Sequence, residues 1–235
     1  MKFHAITDVG RMRSQNQDNV YGTTSPIGPL PNLFLVADGM GGHNAGDYAS
    51  RRAIELVKES VEQSPGTEPV EVLRTAITTA NDMLFSEARQ QEEKSGMGTT
   101  FVAATIVNEE LLVANVGDSR AYVLPDGQLR QITLDHSLVE EMVRTGSMSQ
   151  EMAYHHPKKH MITRAVGAED KVDIDFFDVS LFGDEIILLC SDGLSNMVED
   201  DRIRELLLTE ESAQQRAESL VQAANQKGGR DNITV

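Results

Sequence analysis

Four aspartates, Asp38, Asp118, Asp192 and Asp231, are the residues of this chain best placed to do chemistry. Apolar runs lead into three of them: LFLVA into Asp38, LLVANVG into Asp118 and IILLCS into Asp192, while Asp231 precedes NITV. Such runs read as buried strands, which deliver a carboxylate to the edge of a sheet. Glycine follows twice, at Gly39 and Gly193, and lets the backbone approach an ion or a phosphate. Carboxylates gathered without a counter-charge repel one another and take up protons. Divalent cations remove that penalty, and two of them roughly 4 Å apart can share a carboxylate and a water. With almost no His or Cys beside the acids, the chemistry indicated is that of a hard, oxygen-liganded metal. One Asp-Gly step is an ordinary turn. Four acids at strand ends, two of them in Asp-Gly steps, favour a site.

Arg13 sits in the polar stretch RMRSQNQDN with Asn16 and Asp18 nearby. Its fork suits a phosphate better than a lysine does, although taken alone such an Arg is more often a solvated surface residue. Asp18 suits an outer position, holding a metal's water, or else a turn. His43, just past Gly39, Gly41 and Gly42, can protonate a leaving alkoxide or cap the helix that follows. His155, His156 and His160 read as a polar loop rather than a zinc cage, and Cys190 as a small core residue. The glycines at 39–46 do not make a dinucleotide site: Asn44 holds the third glycine position, and the acids Glu59 and Glu62 fall on a helix. No P-loop lysine signature is present.

The elements that must position these residues follow from periodicity. Strands are expected at 3–9, 19–24, 33–37, 100–107, 111–116, 121–124, 128–133, 161–166, 172–179, 184–190 and from 233. Helices are expected at 47–61, 69–91, 137–144, 199–208 and 212–225, with Pro69 suited to a first turn and capping boxes at Ser137/Glu140 and Ser212/Gln215. Pro125-Asp126-Gly127 makes a hairpin turn. Residues 145–160 read as a flap. Closely spaced strands are antiparallel, so the expected class is α+β, with sheets central and helices outside. No repeat or linker interrupts 1–235, and one domain is expected.

The bulk numbers restrict partners. The net charge is −16 over 235 residues. This disfavours nucleic acid and anionic lipid, and favours cations or a basic segment of a partner. A lone cysteine excludes an intramolecular disulfide or a thiolate zinc cage and fits a reducing cytoplasm. No apolar run approaches the roughly 20 residues of a membrane helix, and the start lacks a signal-peptide core.

Taken together the motifs resemble one family. TDVGRMRSQNQDN, VADGMGGHNAGDYAS, GMGTT, NVGDSRAYV, DHSLVEEMVRTG, HHPKKHMITRAVG, LLCSDGLSNMV and GGRDNITV occur in order. The chain is similar throughout to the metal-dependent protein phosphatases (type 2C), in their bacterial Ser/Thr form. The resemblance implies a four-layer α-β-β-α sandwich, with two central antiparallel sheets flanked by helix pairs. It implies Mn²⁺ or Mg²⁺, two catalytic ions and room for a third, and hydrolysis of phosphoserine and phosphothreonine. Carried over, Asp38 bridges two metals, Gly39 offers its carbonyl, and Asp192 and Asp231 complete the pair. Asp118 with Asp192 matches the third-metal site, Arg13 the phosphate-binding Arg and Asp18 the outer acid. The 145–160 flap would influence substrate choice. Gln17 stands where many members carry Glu. Met40 stands where eukaryotic members carry His, with His43, the candidate acid, further on. Implied partners are phosphorylated proteins, including a Ser/Thr kinase, and a monomer is expected. A family strand normally follows Asp231, which leaves open a further strand or tail beyond Val235. A phosphoprotein-binding module without catalysis, or a metal-dependent phosphodiesterase, are the other classes weighed. The first needs a broken metal set and the second a basic groove, and neither is evident.

Overall fold

The computed structural model describes residues 1–42, 45–154 and 156–235; the candidate acid His43, with Asn44 and His155, lies outside them. In chain order the elements are β1 (Thr7–Asp8), β2 (Asp18–Thr23), β3 (Leu33–Met40), α1 (Ala45–Glu62), α2 (Pro69–Gln90), β4 (Gly98–Thr99), β5 (Phe101–Val107), β6 (Glu110–Val116) and β7 (Arg120–Leu124). There follow β8 (Arg130–Gln131), α3 (Leu138–Arg144), α4 (Gln150–Tyr154), β9 (Asp175–Ser180), β10 (Ile186–Cys190), α5 (Asp192–Ser195), α6 (Asp200–Leu207), α7 (Ala213–Gln226) and β11 (Ile233–Thr234).

One sheet runs β2-β3-β5-β6-β9, with β4 also paired to β3. The opposing layer is β10-β7-β8, and a two-stranded β1-β11 piece adjoins it through the Ser191 N–H, which donates to Thr234 O at 3.1 Å. The pairings are antiparallel, as the short connections require. Three apolar clusters mark the three interfaces of a four-layer stack. The first joins α1 and α2 to the large sheet through residues such as Leu56, Ile77, Leu35 and Phe101. A second lies between the sheets, around Val36, Val102, Val113, Ala121 and Val123. The third packs Tyr122, Leu188 and Cys190 under Leu194, Ile203 and Leu220. This is the expected α-β-β-α sandwich.

The side-chain alternation of β3 explains where the site falls. Leu35 and Ala37 face the helices, whereas Val36 faces the other sheet. Asp38 has the parity of Val36, so it points between the sheets. Its register partner across β2 is Asp18, which shares parity with Val20 of the same inter-sheet cluster.

Several boundaries differ from the sequence expectation. Only Thr7–Asp8 of 3–9 forms a strand, because Phe3 instead lies over Gly22 and 5.0 Å from the Phe34 ring. Residues 161–166 form no strand. Ile162 bridges Ser137 and Val166 bridges Thr99, two single contacts to separate partners. The run expected at 128–133 shortens to Arg130–Gln131, after a turn with positive φ at Asp126 and Gly127. Ser212 with Gln215 forms the expected capping box, whereas at α3 only half of the expected box is present: Ser137 accepts from the Glu140 N–H.

Candidate metal centre

Asp38 does not end its strand. The strand continues through Gly39 and Met40, which pair with Thr99 and Gly98 of β4. The Asp38 main chain is held at both ends: its N–H donates to Thr100 Oγ1 at 3.0 Å, and its carbonyl accepts from the Thr100 N–H at 2.8 Å and from Thr99 Oγ1 at 2.9 Å. A rigid backbone therefore presents this carboxylate. Gly39 is fixed by the crowding around it. A Cβ there would lie 2.0 Å from Gly46 O and 2.8 Å from Gln17 O, so a side chain cannot be accommodated.

The acids lie within electrostatic reach of one another. The Asp38 carboxyl is pushed well above the usual carboxylate range, first by desolvation and then by Asp18, Asp192, Asp118 and Asp231. Burial also raises Asp118, which is 7% exposed, with Asp192 and Asp135 adding to the effect. Burial raises Asp18 from 3.8 to about 7; the Ser191 and Thr234 hydroxyls oppose that rise, while Asp192 and Asp231 reinforce it. Both hydroxyls donate to Asp18 Oδ2 at 2.7 Å. The other oxygen, Asp18 Oδ1, is buried without a hydrogen-bond partner, and so is Asp192 Oδ1. Buried carboxylate oxygens without partners are rare and costly. Their presence on two neighbouring aspartates, in a set of oxygen donors only, fits a hard divalent cation.

Two of the acids are turned elsewhere. Asp231 Oδ2 pairs with Arg13 Nη2 at 2.8 Å, and its Oδ1 accepts the Asn232 N–H at 2.9 Å. Asp192, which opens α5 instead of simply ending β10, accepts from Asn196 Nδ2 at 2.9 Å, with His160 Nδ1 3.9 Å away. Accordingly, among the described residues no three His, Cys, Asp or Glu side chains form a ready-made metal cage.

Residues that sequence reasoning passed over hold the site together. Asn232 accepts the Gln17 N–H at 2.9 Å and donates to Val9 O at 3.0 Å and Gln15 O at 2.9 Å, tying the Arg13 loop to Asp231. Gly193 lies so close to this segment that a Cβ would sit 1.8 Å from Asn232 O. Ser50, at the base of α1, donates to Gln17 O at 2.5 Å, an oxygen that also accepts the Gly39 N–H at 3.1 Å. Each bond spans a long stretch of sequence, so no local pattern announces it. Beside Asp118 and Asp192 opens a cavity of about 260 Å³, lined also by Lys159, Asn196 and Glu199. Residues 145–160 stand at this cavity, through Ala153 and Lys159.

The sequence matches the family described as protein phosphatase 2C over residues 16–144. It is 42% identical to the serine/threonine phosphatase stp of Listeria welshimeri, across 97% of this chain and 92% of that protein. The fold superposes on the serine/threonine phosphatase Stp1 from Staphylococcus aureus with a TM-score of 0.90, at 35% identity, covering 98% of this chain and 91% of that one. It is also similar to the catalytic domain of the serine threonine protein phosphatase PstP, solved in complex with two manganese ions, with a TM-score of 0.86, 34% identity and coverage of 98% and 94%.

Proposed function

The chain belongs to the protein phosphatase 2C family, and from that premise we propose which of its residues carry a metal-dependent hydrolysis of phosphoserine and phosphothreonine in proteins. It is a serine/threonine phosphoprotein phosphatase that uses Mn²⁺ or Mg²⁺. When bound, the ions supply Lewis acidity and an activated water. Asp38 would hold the pair from its rigid strand, with the Gly39 carbonyl, Asp192 and Asp231 completing the set. Asp118 and Asp192 would hold a third. Asp18 would sit behind them as a hydrogen-bond acceptor for water. Arg13, released from Asp231 as that carboxylate turns inward, would hold the phosphoryl oxygens with its fork. The alkoxide of the departing serine or threonine needs a proton, and His43 is the candidate in sequence to give it.

The observation that carries this reading is the mutual electrostatic crowding of Asp18, Asp38, Asp118, Asp192 and Asp231, with two buried oxygens left unpartnered. The test is release of phosphate from a phosphothreonine peptide with Mn²⁺. Asp38→Ala and Asp192→Ala should abolish it, excess EDTA should stop it, and a phosphodiester should be a poor substrate. Turnover that persists in EDTA would defeat the reading.

The partners follow from the same premise. We take the substrates to be phosphorylated proteins, among them a Ser/Thr kinase, with the 1–235 domain working as a monomer in the cytoplasm. The lone buried thiol, Cys190, suits reducing conditions. Among the described residues no helix is long and apolar enough to cross a membrane. The flap at 145–160 would meet the residues flanking the phosphorylated one.

A further inference from the structure

Gly117, the residue before Asp118, is bonded to one residue at both main-chain polar groups, and its carbonyl also accepts from Asn115 Nδ2 at 3.2 Å. His136 Nδ1 accepts the Gly117 N–H at 3.0 Å, and the His136 N–H donates to Gly117 O at 3.0 Å. A ring nitrogen that accepts is unprotonated, so in the neutral imidazole the hydrogen is on Nε2. Nε2 then donates to Asp175 Oδ2 at 3.1 Å, while Arg164 Nη1, 3.2 Å from the same ring nitrogen, donates to Asp175 Oδ1 at 2.8 Å. The histidine is 6% exposed and locked from both sides.

The other side of the same turn is held just as firmly. Gly117 has φ +106, and a Cβ there would come within 2.7 Å of the Thr100 side chain. Ser119 Oγ shares a 2.7 Å hydrogen bond with Thr100 Oγ1, the atom that accepts the Asp38 N–H. Asp118 thus lies in a three-residue turn gripped by His136 at one end and by the anchor of Asp38 at the other. His136 also reaches the far side of the flap, since its carbonyl accepts the Thr163 N–H at 2.8 Å. An apolar side chain could fill this space, but it would leave the buried Gly117 N–H unpaired.

We infer that His136 is a positioning residue for the phosphatase reaction, fixing Asp118 relative to Asp38 by holding both polar groups of Gly117. This rests on the reading of Asp118 as part of the metal centre. Asparagine can place an acceptor where Nδ1 stands; glutamine reaches to the Nε2 position and leaves the Gly117 N–H unpaired.

The test is a double-mutant cycle on the full chain, read by steady-state kinetics and by calorimetric titration with Mn²⁺. His136→Gln should lower kcat about tenfold, the scale of one lost buried hydrogen bond, and weaken Mn²⁺ binding, with KM for a phosphothreonine peptide little changed. His136→Asn should recover most of that loss. In an Asp118→Asn background, His136→Gln should add less than about a twofold effect, because both changes act on one element. Fully additive losses, or an unaltered His136→Gln enzyme, would overturn the inference while leaving the metal centre intact. An Asp118→Asn protein with wild-type Mn²⁺ binding and turnover would instead remove the reading beneath it, and the inference with it. Nitrogen-15 NMR of the wild-type ring needs no variant: the Nε2–H tautomer is expected, and an Nδ1–H tautomer would overturn the inference.

Discussion

Arg13 Nη2 stands 2.8 Å from Asp231 Oδ2, joining residues 218 positions apart at the mouth of the acidic cluster. The pair is open to water, with side chains 52% and 34% exposed, so it adds at most about 1 kcal/mol to stability. Its interest is functional, since it occupies both the group assigned to phosphate and a group assigned to metal. Arg13→Ala should leave the unfolding free energy within about 0.5 kcal/mol. The same change should lower kcat/KM roughly 10–100-fold, the range of a lost charge-assisted hydrogen bond. Arg13→Lys keeps the charge without the fork and should recover only part. Urea unfolding beside phosphopeptide kinetics checks this; parallel losses of stability and activity would contradict it.

Asp38 trades stability for function. Burial first, and then four other carboxylates, raise its proton affinity in the absence of metal. Neutralising it should therefore stabilise the metal-free fold while removing activity. Asp38→Asn is expected to unfold at a higher temperature than the wild type in EDTA, and to lose at least about a hundredfold in turnover with Mn²⁺, as when an electrostatic stabiliser is deleted. Differential scanning calorimetry in EDTA decides it, and a lower Tm for Asp38→Asn would contradict the crowding.

The pH dependence of the metal-free protein follows from Asp18. Its carboxyl lies at about 7 in the fold against 3.8 when unperturbed, so the folded state binds this proton more tightly than the unfolded chain does. The stability this contributes is full below about pH 4 and is lost as pH rises through about 7. Asp38 and Asp118, also raised, act with the same sign. In EDTA, Tm should fall between pH 5 and 8. Asp18→Asn should flatten the fall, and Mn²⁺ should reverse it by binding the folded state. A Tm in EDTA that climbs over this window would refute the argument.

Gly193 is a purely steric matter. A methyl there meets Asn232 O at 1.8 Å, backbone that cannot swing aside. Gly193→Ala should cost about 2–3 kcal/mol through overpacking, and should weaken Mn²⁺ affinity by separating Asp192 from Asp231. Chemical denaturation and Mn²⁺ titration together test this. A variant as stable as the wild type would show that the two segments are not pressed together.

The acids were legible in the sequence because each lies beside an apolar run that must be buried, and burial of a carboxylate calls for a partner. The layers were legible for the same reason: period-two runs for the sheets and helical spacing for α1, α2, α6 and α7. What stayed hidden was long-range. Asp38 looked like the end of a strand because β4, the two residues Gly98–Thr99 that extend the pairing, is too short to leave a pattern. The stretch 161–166 alternates like a strand but finds one partner in β4 and another before α3. Asn232, Ser191 and Thr234 are ordinary polar residues whose importance lies in bonds spanning roughly the length of the chain. The role of His136 cannot be read from DHSLVEE, because only the folded chain brings it to Gly117.

The most direct measurement is the anomalous scattering of crystals soaked in Mn²⁺. Two strong peaks roughly 4 Å apart are predicted. Asp38 should bridge them, Asp192, Asp231 and the Gly39 carbonyl should complete their ligands, and Asp231 should have turned away from Arg13. Peaks elsewhere, or none at Asp38 in crystals of enzyme that is active with Mn²⁺, would contradict the account.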